Sequence, residues 1–523
     1  MPSKYYDVVV IGRSLGALVA AALLARRDYT VLVVGQGRPG ANYDVDGRAL
    51  RRRVSTMLAG TSPTWARVMR ELAHTQTWRR RAVTPDPPLQ VLGSTQAPYG
   101  SDARGRRPLR LEISTDAERF AREVDREVPE VRRLVAELYG ELLRVTEAAD
   151  ASFEADAMWP PGTFFERRET NKLVAKLPFA RSEMHVDLLG EFPRDHVYRR
   201  VVGESVRFAT DLAQPLPAFA MARLHGAWAR GLTALEGGEH ELEELLLERV
   251  VANGGELALD ERATHLEVKG GTVASVVLDG IPGGFGAGFV VTDLIGEAVA
   301  NLSGGVGITD HAHRDWPRVT PSKGRFVTSI VARSAGVPTA LGREVVLLGD
   351  ERRSGVEGRS LHLERCGAAK EGEQLFAVEM LLDERDGAVL YDARRAIVER
   401  LCRELPFFAQ HLVLVDSVHD GLPLWRYVDG IRVEVERVDA RLSVRAEPME
   451  RQLEVDPPGF LGLGGEPVRG PIERTLLCGA SVLPGLGREG RLLAALSAVR
   501  LVTKSDRRKT RFRREMWTKL EIE

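Results

Sequence analysis

Tyr6-Asp7-Val8-Val9-Val10-Ile11-Gly12-Arg13-Ser14-Leu15-Gly16-Ala17 is the stretch on which the reading of this chain turns. Tyr6 to Ile11 is a β-branched apolar run, the pattern of a strand buried on both faces. Gly12 to Ala17 reads as a tight turn. Leu18 to Arg26 then reads as an Ala/Leu-rich helix whose closing arginines suit a helix C-terminus. After a short turn around Asp28, Thr30-Val31-Leu32-Val33-Val34 is a second buried strand. Strand, helix and strand within about thirty residues open a dinucleotide-binding unit.

Two chemistries fit the same turn. Gly12-x-Ser14-x-Gly16 matches a nucleophile elbow, with Ser14 as an acylated nucleophile. That fold needs several strands and an oxyanion loop upstream, and only seven residues precede Val8, so the expectation runs against a hydrolase. The other match is a modified G-x-G-x-x-G/A loop with Gly12 first, Ser14 at the second glycine and Ala17 at the third. Its chemistry is phosphate binding at a helix N-terminus, where unpaired N–H groups and the dipole favour an anion. Serine adds a Cβ where the backbone approaches a pyrophosphate, although its hydroxyl could donate to a phosphate oxygen. The second strand should end in Asp or Glu for the adenosine ribose. Here Gly35 occupies that position and Gln36 follows, able to bond a ribose hydroxyl without charge assistance.

Composition narrows the classes. The chain has 523 residues, 44% of them hydrophobic, enough for one or two substantial cores and too many for a disordered chain. Lys plus Arg is 73 against 74 for Asp plus Glu, which argues against a globally basic nucleic-acid binder. Only 9 of those cations are Lys, a skew that base composition explains without phosphate clamps. Cys366, Cys402 and Cys478 lie far apart and form no ligand cluster, which suits a reducing compartment and no structural zinc. His311 and His313 have no further ligand at a recognisable spacing, so a solvated loop is expected there and no metal. Val8 to Ala25 carries one charge, Arg13, over 18 residues, but Gly12, Arg13 and Ser14 interrupt it as a membrane span. The expectation is a soluble cytoplasmic protein, at most peripheral to the inner face of a membrane.

Two distant segments extend the pattern. Gly237-Gly238 leads into a helix from Glu241 to Asn253, and Gly254-Gly255-Glu256-Leu257 stops it and starts a strand. Ala263 to Val277 reads as a hairpin turning at Lys269-Gly270-Gly271, and Phe289 to Asp293 as a returning buried strand. Near the carboxyl end, Leu476 to Gly490 gives a strand and a glycine-rich turn, followed by a helix from Arg491 to Val502.

The order of these elements resembles the FAD-dependent phytoene desaturase and carotenoid isomerase branch of the amine-oxidase superfamily. The resemblance spans nearly the whole chain and is strongest at residues 5–50, 225–300 and 475–503. It implies an α/β fold, in which a FAD/NAD(P)-binding Rossmann-like domain is interleaved with an α+β substrate domain containing a mixed or antiparallel sheet. It implies FAD as cofactor, held at the pyrophosphate by the amino-terminal loop and at adenine by the backbone of Ala263. Gly479, Ala480, Pro484, Gly485 and Gly487 would lie along the ribityl chain and flavin, with Gly490 completing the motif. The cofactor domain would collect residues 1–60, 225–300 and 470–503, and a substrate domain 61–224 and 301–469. Helices near Ala117 to Ala149 and Asp392 to Glu404, and strands near Leu375 to Leu382 and Gly430 to Val438, would belong to the second domain. The implied activity is oxidation or isomerisation of a hydrophobic, polyene- or terpenoid-like small molecule. No catalytic residue can be named, because hydride chemistry belongs largely to the flavin.

Four positions depart from the family: Ser14, Gly35, Ala480 in place of the ribityl-binding Asp, and Gly40-Ala41-Asn42 in place of Gly-Gly-Arg. A hydrogen bond to a charged group contributes about 1.5–3 kcal/mol, so losing both carboxylate contacts removes about 3–6 kcal/mol of affinity. The same superfamily, by resemblance, includes the Rab GDP-dissociation inhibitors, which bind no FAD and carry isoprenoid-modified partners. A cofactor-free lipid- or protein-binding role therefore stands beside the oxidoreductase. The tail from residue 504 to 523 is basic, with a net +6 between Lys504 and Lys519 and with Phe512, Met516 and Leu520 at four-residue spacing. Such a face suits peripheral contact with an anionic membrane through residues 504–520, and the alternative is a solvated tail.

Overall fold

The computed structural model describes residues 4–54, 62–96, 106–180, 186–310, 312, 315–350, 352–383, 389–436 and 446–505. Its first sheet is built on the opening strand, Lys4–Ile11, which pairs in parallel with Val31–Val34 on one side and Phe285–Thr292 on the other. Glu256–Ala258 extends the sheet in parallel beyond Val31–Val34, and Thr475–Leu477 pairs in parallel with Phe285–Thr292. The hairpin Ala263–Lys269 and Thr272–Leu278 completes it, antiparallel to Phe285–Thr292. Register matters more than count here. Ile11 stands opposite Val34 and Thr292, Thr292 opposite Leu477, and Val34 opposite Ala258. The carboxyl ends of five parallel strands therefore lie along one edge, where ligands of open α/β sheets bind.

The first helix is Leu15–Ala25, three residues earlier than the apolar run suggested, because Ser14 is already the extended residue before it. All eleven of its residues are buried. A helix covered on every side has no use for a polar stripe, which accounts for its uniformly apolar sequence. Its cover includes the helices Gly238–Ala252 and Gly487–Ser505.

A second, mixed sheet of ten strands is centred on the long strand Arg318–Arg333. That strand pairs antiparallel with Glu373–Leu382, Leu412–Asp416 and Glu450–Asp456. Helix Leu390–Glu404 packs on one face over Phe326, Ile330, Phe376 and Val378. On the other face lies the small hairpin Asn42–Val45 and Arg48–Arg51, with Tyr43 and Leu50 against Val327, Val331 and Leu375. Residues 42–51, grouped by sequence with the cofactor domain, thus pack on the second sheet. The helical stretch expected from Ala117 to Ala149 is two helices, Ala117–Glu127 and Arg132–Glu154, separated by a turn at Pro129, whose ring and missing N–H disfavour a continuous helix.

Candidate functional site

Gly12 leaves the first strand at φ +125°, a conformation that favours glycine. Its amide donates to the Val34 carbonyl at 2.8 Å, which fixes the turn against the second strand. The Ser14 side chain makes no cap hydrogen bond, and its hydroxyl is buried without a partner. The Ser14 amide instead donates to Asp293 Oδ2 at 2.8 Å. Arg38 Nη1 donates to Asp293 Oδ1 at 3.1 Å. A Cβ built on Gly12 would lie 2.1 Å from that same oxygen. The hollow before the first helix, which favours an anion by its free amides and dipole, is filled by a carboxylate of the chain itself. The Asp293 side chain is 1% exposed.

The edge of the second strand is closed in a comparable way. A Cβ on Gly35 would meet the Leu259 carbonyl oxygen at 1.9 Å, so the position that should carry an acid has no room for a side chain. Gln36, at φ +59°, turns its amide to the hairpin. Its Nε2 donates to the Ala263 carbonyl at 3.0 Å, and the Ala263 amide donates to its Oε1 at 2.9 Å. The two backbone groups implied to read adenine are both engaged by Gln36.

The glycines at the other predicted positions sit against backbone. A Cβ on Gly16 would lie 2.0 Å from the Cys478 carbonyl, and one on Gly479 would lie 2.4 Å from the Asp293 carbonyl. One on Gly485 would meet Leu463 Cα at 2.9 Å, and one on Gly487 would meet the Ala209 carbonyl at 2.0 Å. The Pro484 carbonyl accepts from the Thr210 hydroxyl and the Asp211 amide, each at 3.0 Å. Ala17 is fully buried in the helix. The structure thus brings Gly12, Ser14 and Gly479 against Asp293, sets Gly16 against Cys478 and Ala480 on the cavity wall, gathers Gly35, Gln36 and Ala263 along the edge, and leaves Pro484, Gly485 and Gly487 in interior packing.

Between the sheets, beside Asp293 and Ala480, lies a cavity of about 410 Å³. Its walls carry seven arginines; Arg13, Arg38, Arg52, Arg53, Arg325 and Arg491 each have an acidic partner, and Arg451 donates to the Ser322 carbonyl. Arg53 bridges Glu239 and Glu243 at 3.1 and 3.2 Å, and Arg13 stands 3.4 Å from Glu243. Arg491 binds Asp211 through two bonds of 2.7 and 2.8 Å and reaches Glu450 at 2.7 Å. Arg325 pairs with Glu379, and Arg52 with Glu447. Burial opposes ionisation of Glu450, but Arg491, Arg53 and Arg325 hold its carboxyl well below the usual range. Burial, by contrast, raises the pKa of Glu243 above the usual range against the pull of Arg53 and Arg13. Near this network, Glu466 accepts from the Gly296 amide at 2.7 Å through Oε1, while Oε2 is buried without a partner. Burial lifts its pKa to about 7, against the opposing hydrogen bond from the Gly296 amide.

These residues do not fit the flavin dinucleotide that the resemblance implies. Asp293 stands where the pyrophosphate would lie, Gln36 occupies the Ala263 backbone, and Leu259 abuts the ribose position. Asp293 and Arg38 are the residues that sequence reasoning missed. The available signal was the place of Asp293 at the end of a returning strand, on the edge shared with Gly12. His311 and His313, and the tail beyond residue 505, lie outside the described residues. Among the described residues there is no group of three or more His, Cys, Asp or Glu able to hold a metal, and no helix long and apolar enough to cross a membrane.

The sequence profile of the NAD(P)-binding Rossmann-like domain matches residues 10–72. No curated protein matches the chain. An oxidoreductase from Methanosarcina mazei has a similar structure at 15% identity, with a TM-score of 0.57 over 94% of this chain and 99% of that one. Putrescine oxidase bound to putrescine is similar at 12% identity, with a TM-score of 0.55 over 96% of this chain and 98% of that one. A protein from Pyrococcus furiosus follows at 14% identity, with a TM-score of 0.52 over 95% and 97%. At such identities the likeness establishes the fold, an α/β architecture with a Rossmann-like domain and an added mixed sheet, shared with these proteins.

Proposed function

We propose that this chain is a non-catalytic binding or carrier protein built on an oxidoreductase fold, and that it binds no FAD. The observation that carries this reading is the Asp293 carboxylate on the amino end of the first helix, bonded to the Ser14 amide. A dinucleotide pyrophosphate would have to displace a buried anion from that place, and two like charges cannot share it. The nearby cavity joins paired charged side chains to an apolar wall of Val54, Ile295, Val327, Met449 and Leu453, so it suits a small ligand with both a polar and an apolar part. The test is the absorption spectrum of protein purified from its native host, followed by titration with FAD. No flavin absorption and no uptake of added FAD is the expected result. A yellow protein, or reduction of bound flavin by any substrate, would overturn it.

The second reading is an FAD-dependent oxidoreductase or isomerase of the phytoene desaturase-like branch acting on a hydrophobic polyene or terpenoid. The overall likeness to the Methanosarcina oxidoreductase and to putrescine oxidase favours it. It requires Asp293 to leave the helix terminus and Gln36 to release Ala263. The same spectrum decides between the two.

A further inference from the structure

The helix Phe164–Val174 presents an unusual outward face. Phe164 and Phe165 are 75% and 74% exposed, and their rings meet edge to face with centroids 5.8 Å apart. At 100° per residue, Phe164, Phe165, Arg168 and Lys172 fall within a single arc of about 100°, and the turn that follows adds Lys176. Arg167 flanks the arc, and all four of these cations are exposed. Glu169, at the edge of the arc, is the one exposed acid between Phe164 and Lys176. The opposite side is fastened to the protein. Thr163 and Glu166 form a capping box, Glu166 holds Arg469 through bonds of 2.9 and 2.7 Å, and the Thr170 hydroxyl donates to the Met158 carbonyl at 2.9 Å. Thr170 and Val174 are buried. The aromatic pair is therefore held out rigidly, away from any neighbour that would cover it among the described residues.

Two adjacent exposed aromatic rings ringed by cations match the chemistry of a lipid interface, where rings enter the acyl boundary and basic side chains snorkel to anionic headgroups. We propose that this face docks the protein on an anionic membrane surface, with Phe164 and Phe165 inserted and Arg167, Arg168, Lys172 and Lys176 against the phosphates. The charge pattern selects this occupant over a second copy of the chain, because two such faces brought together would oppose cation to cation.

The experiment is co-sedimentation of the full chain with phosphatidylcholine vesicles, with and without phosphatidylserine. The variants are Phe164→Ala with Phe165→Ala, and Arg168→Glu with Lys172→Glu, each checked for an unchanged thermal midpoint. Binding that requires phosphatidylserine, weakens with salt, and falls by about tenfold or more in each double variant supports the proposal. Absence of phosphatidylserine-dependent binding overturns it. So does undiminished binding by both variants, which would assign the contact to another surface such as the basic segment 504–520. Concentration-dependent dimerisation abolished by the two alanines also overturns it, since the rings would then be covered by a second copy.

Discussion

Replacing Asp293 by alanine removes the anion from the end of the first helix and leaves the backbone in place. The carboxylate accepts a hydrogen bond from the Ser14 amide at 2.8 Å and one from Arg38 at 3.1 Å. A hydrogen bond to a buried charged acceptor contributes about 1.5–3 kcal/mol. The helix dipole adds up to about 2 kcal/mol for a partly buried anion. The Arg38 pair adds little, because that guanidinium is 46% exposed and water replaces its partner. The first two terms overlap, since the Ser14 N–H is one of the groups that make the dipole. The expected loss is therefore about 2–3 kcal/mol. The vacated hollow opens on the 410 Å³ cavity, so an external anion can reach it. Pyrophosphate at a hundred times its dissociation constant would restore about 2.7 kcal/mol, close to the whole loss. The assay is urea unfolding followed by circular dichroism at constant ionic strength, with chloride exchanged for pyrophosphate. The Asp293→Ala variant should regain most of its lost stability, and the native chain should gain none. Equal stabilisation of both proteins, or an alanine variant as stable as the native chain, would refute the reasoning.

Two other substitutions address the same edge and its buried acid. Gly35→Glu supplies the acid that a dinucleotide site requires, yet its Cβ would meet the Leu259 carbonyl at 1.9 Å; it should lower stability by about 1–3 kcal/mol, seen as a lower thermal midpoint, and confer no FAD binding. Glu466 has a folded pKa of about 7 against an ordinary 4.5, so its contribution to stability is fully present below about pH 4.5 and is lost as pH rises through 7. Glu466→Gln, which can still accept from the Gly296 amide, should match the native chain at about pH 4 and exceed it by about 1–3 kcal/mol at pH 8. Thermal midpoints of the two proteins that run parallel from about pH 4 to 8 would exclude this.

The opening strand, turn and helix were legible because they are local: a buried β-branched run, a glycine where φ is positive, and an apolar helix. The hairpin after Glu256 and the late glycine turn were legible for the same reason. A second, mixed sheet was expected, with strands near Leu375 to Leu382 and Gly430 to Val438, but its strand order was not legible, because its ladders join segments as distant as Leu89–Gln96 and Glu344–Leu347, which no spacing in the sequence connects. The site lay between these cases. Gly12 and Ser14 announced an anion-binding turn, but the anion belongs to a residue 279 positions away. Gln36 was singled out as the polar residue after the acid position, able to bond a ribose hydroxyl, yet its partner is the Ala263 backbone, paired to it only when the hairpin folds over the strand edge. Glycine spacing alone cannot distinguish room for a cofactor from room for a carbonyl.

The helix Gly487–Ser505 has a consequence for how the chain comes to be folded at all. It lies against the first helix, its Arg491 binds Asp211 and Glu450, and its Glu489 binds Arg223 and Ser62. Each of these partners is made earlier on the ribosome than the helix that joins them. Until those late residues emerge, Arg223 lacks Glu489, Asp211 lacks its bidentate cation, and one wall of the first helix is wet. The nascent chain should therefore stay partly open through most of its synthesis and close in a single late step. A ribosome stalled short of residue 487 should carry a protease-sensitive chain.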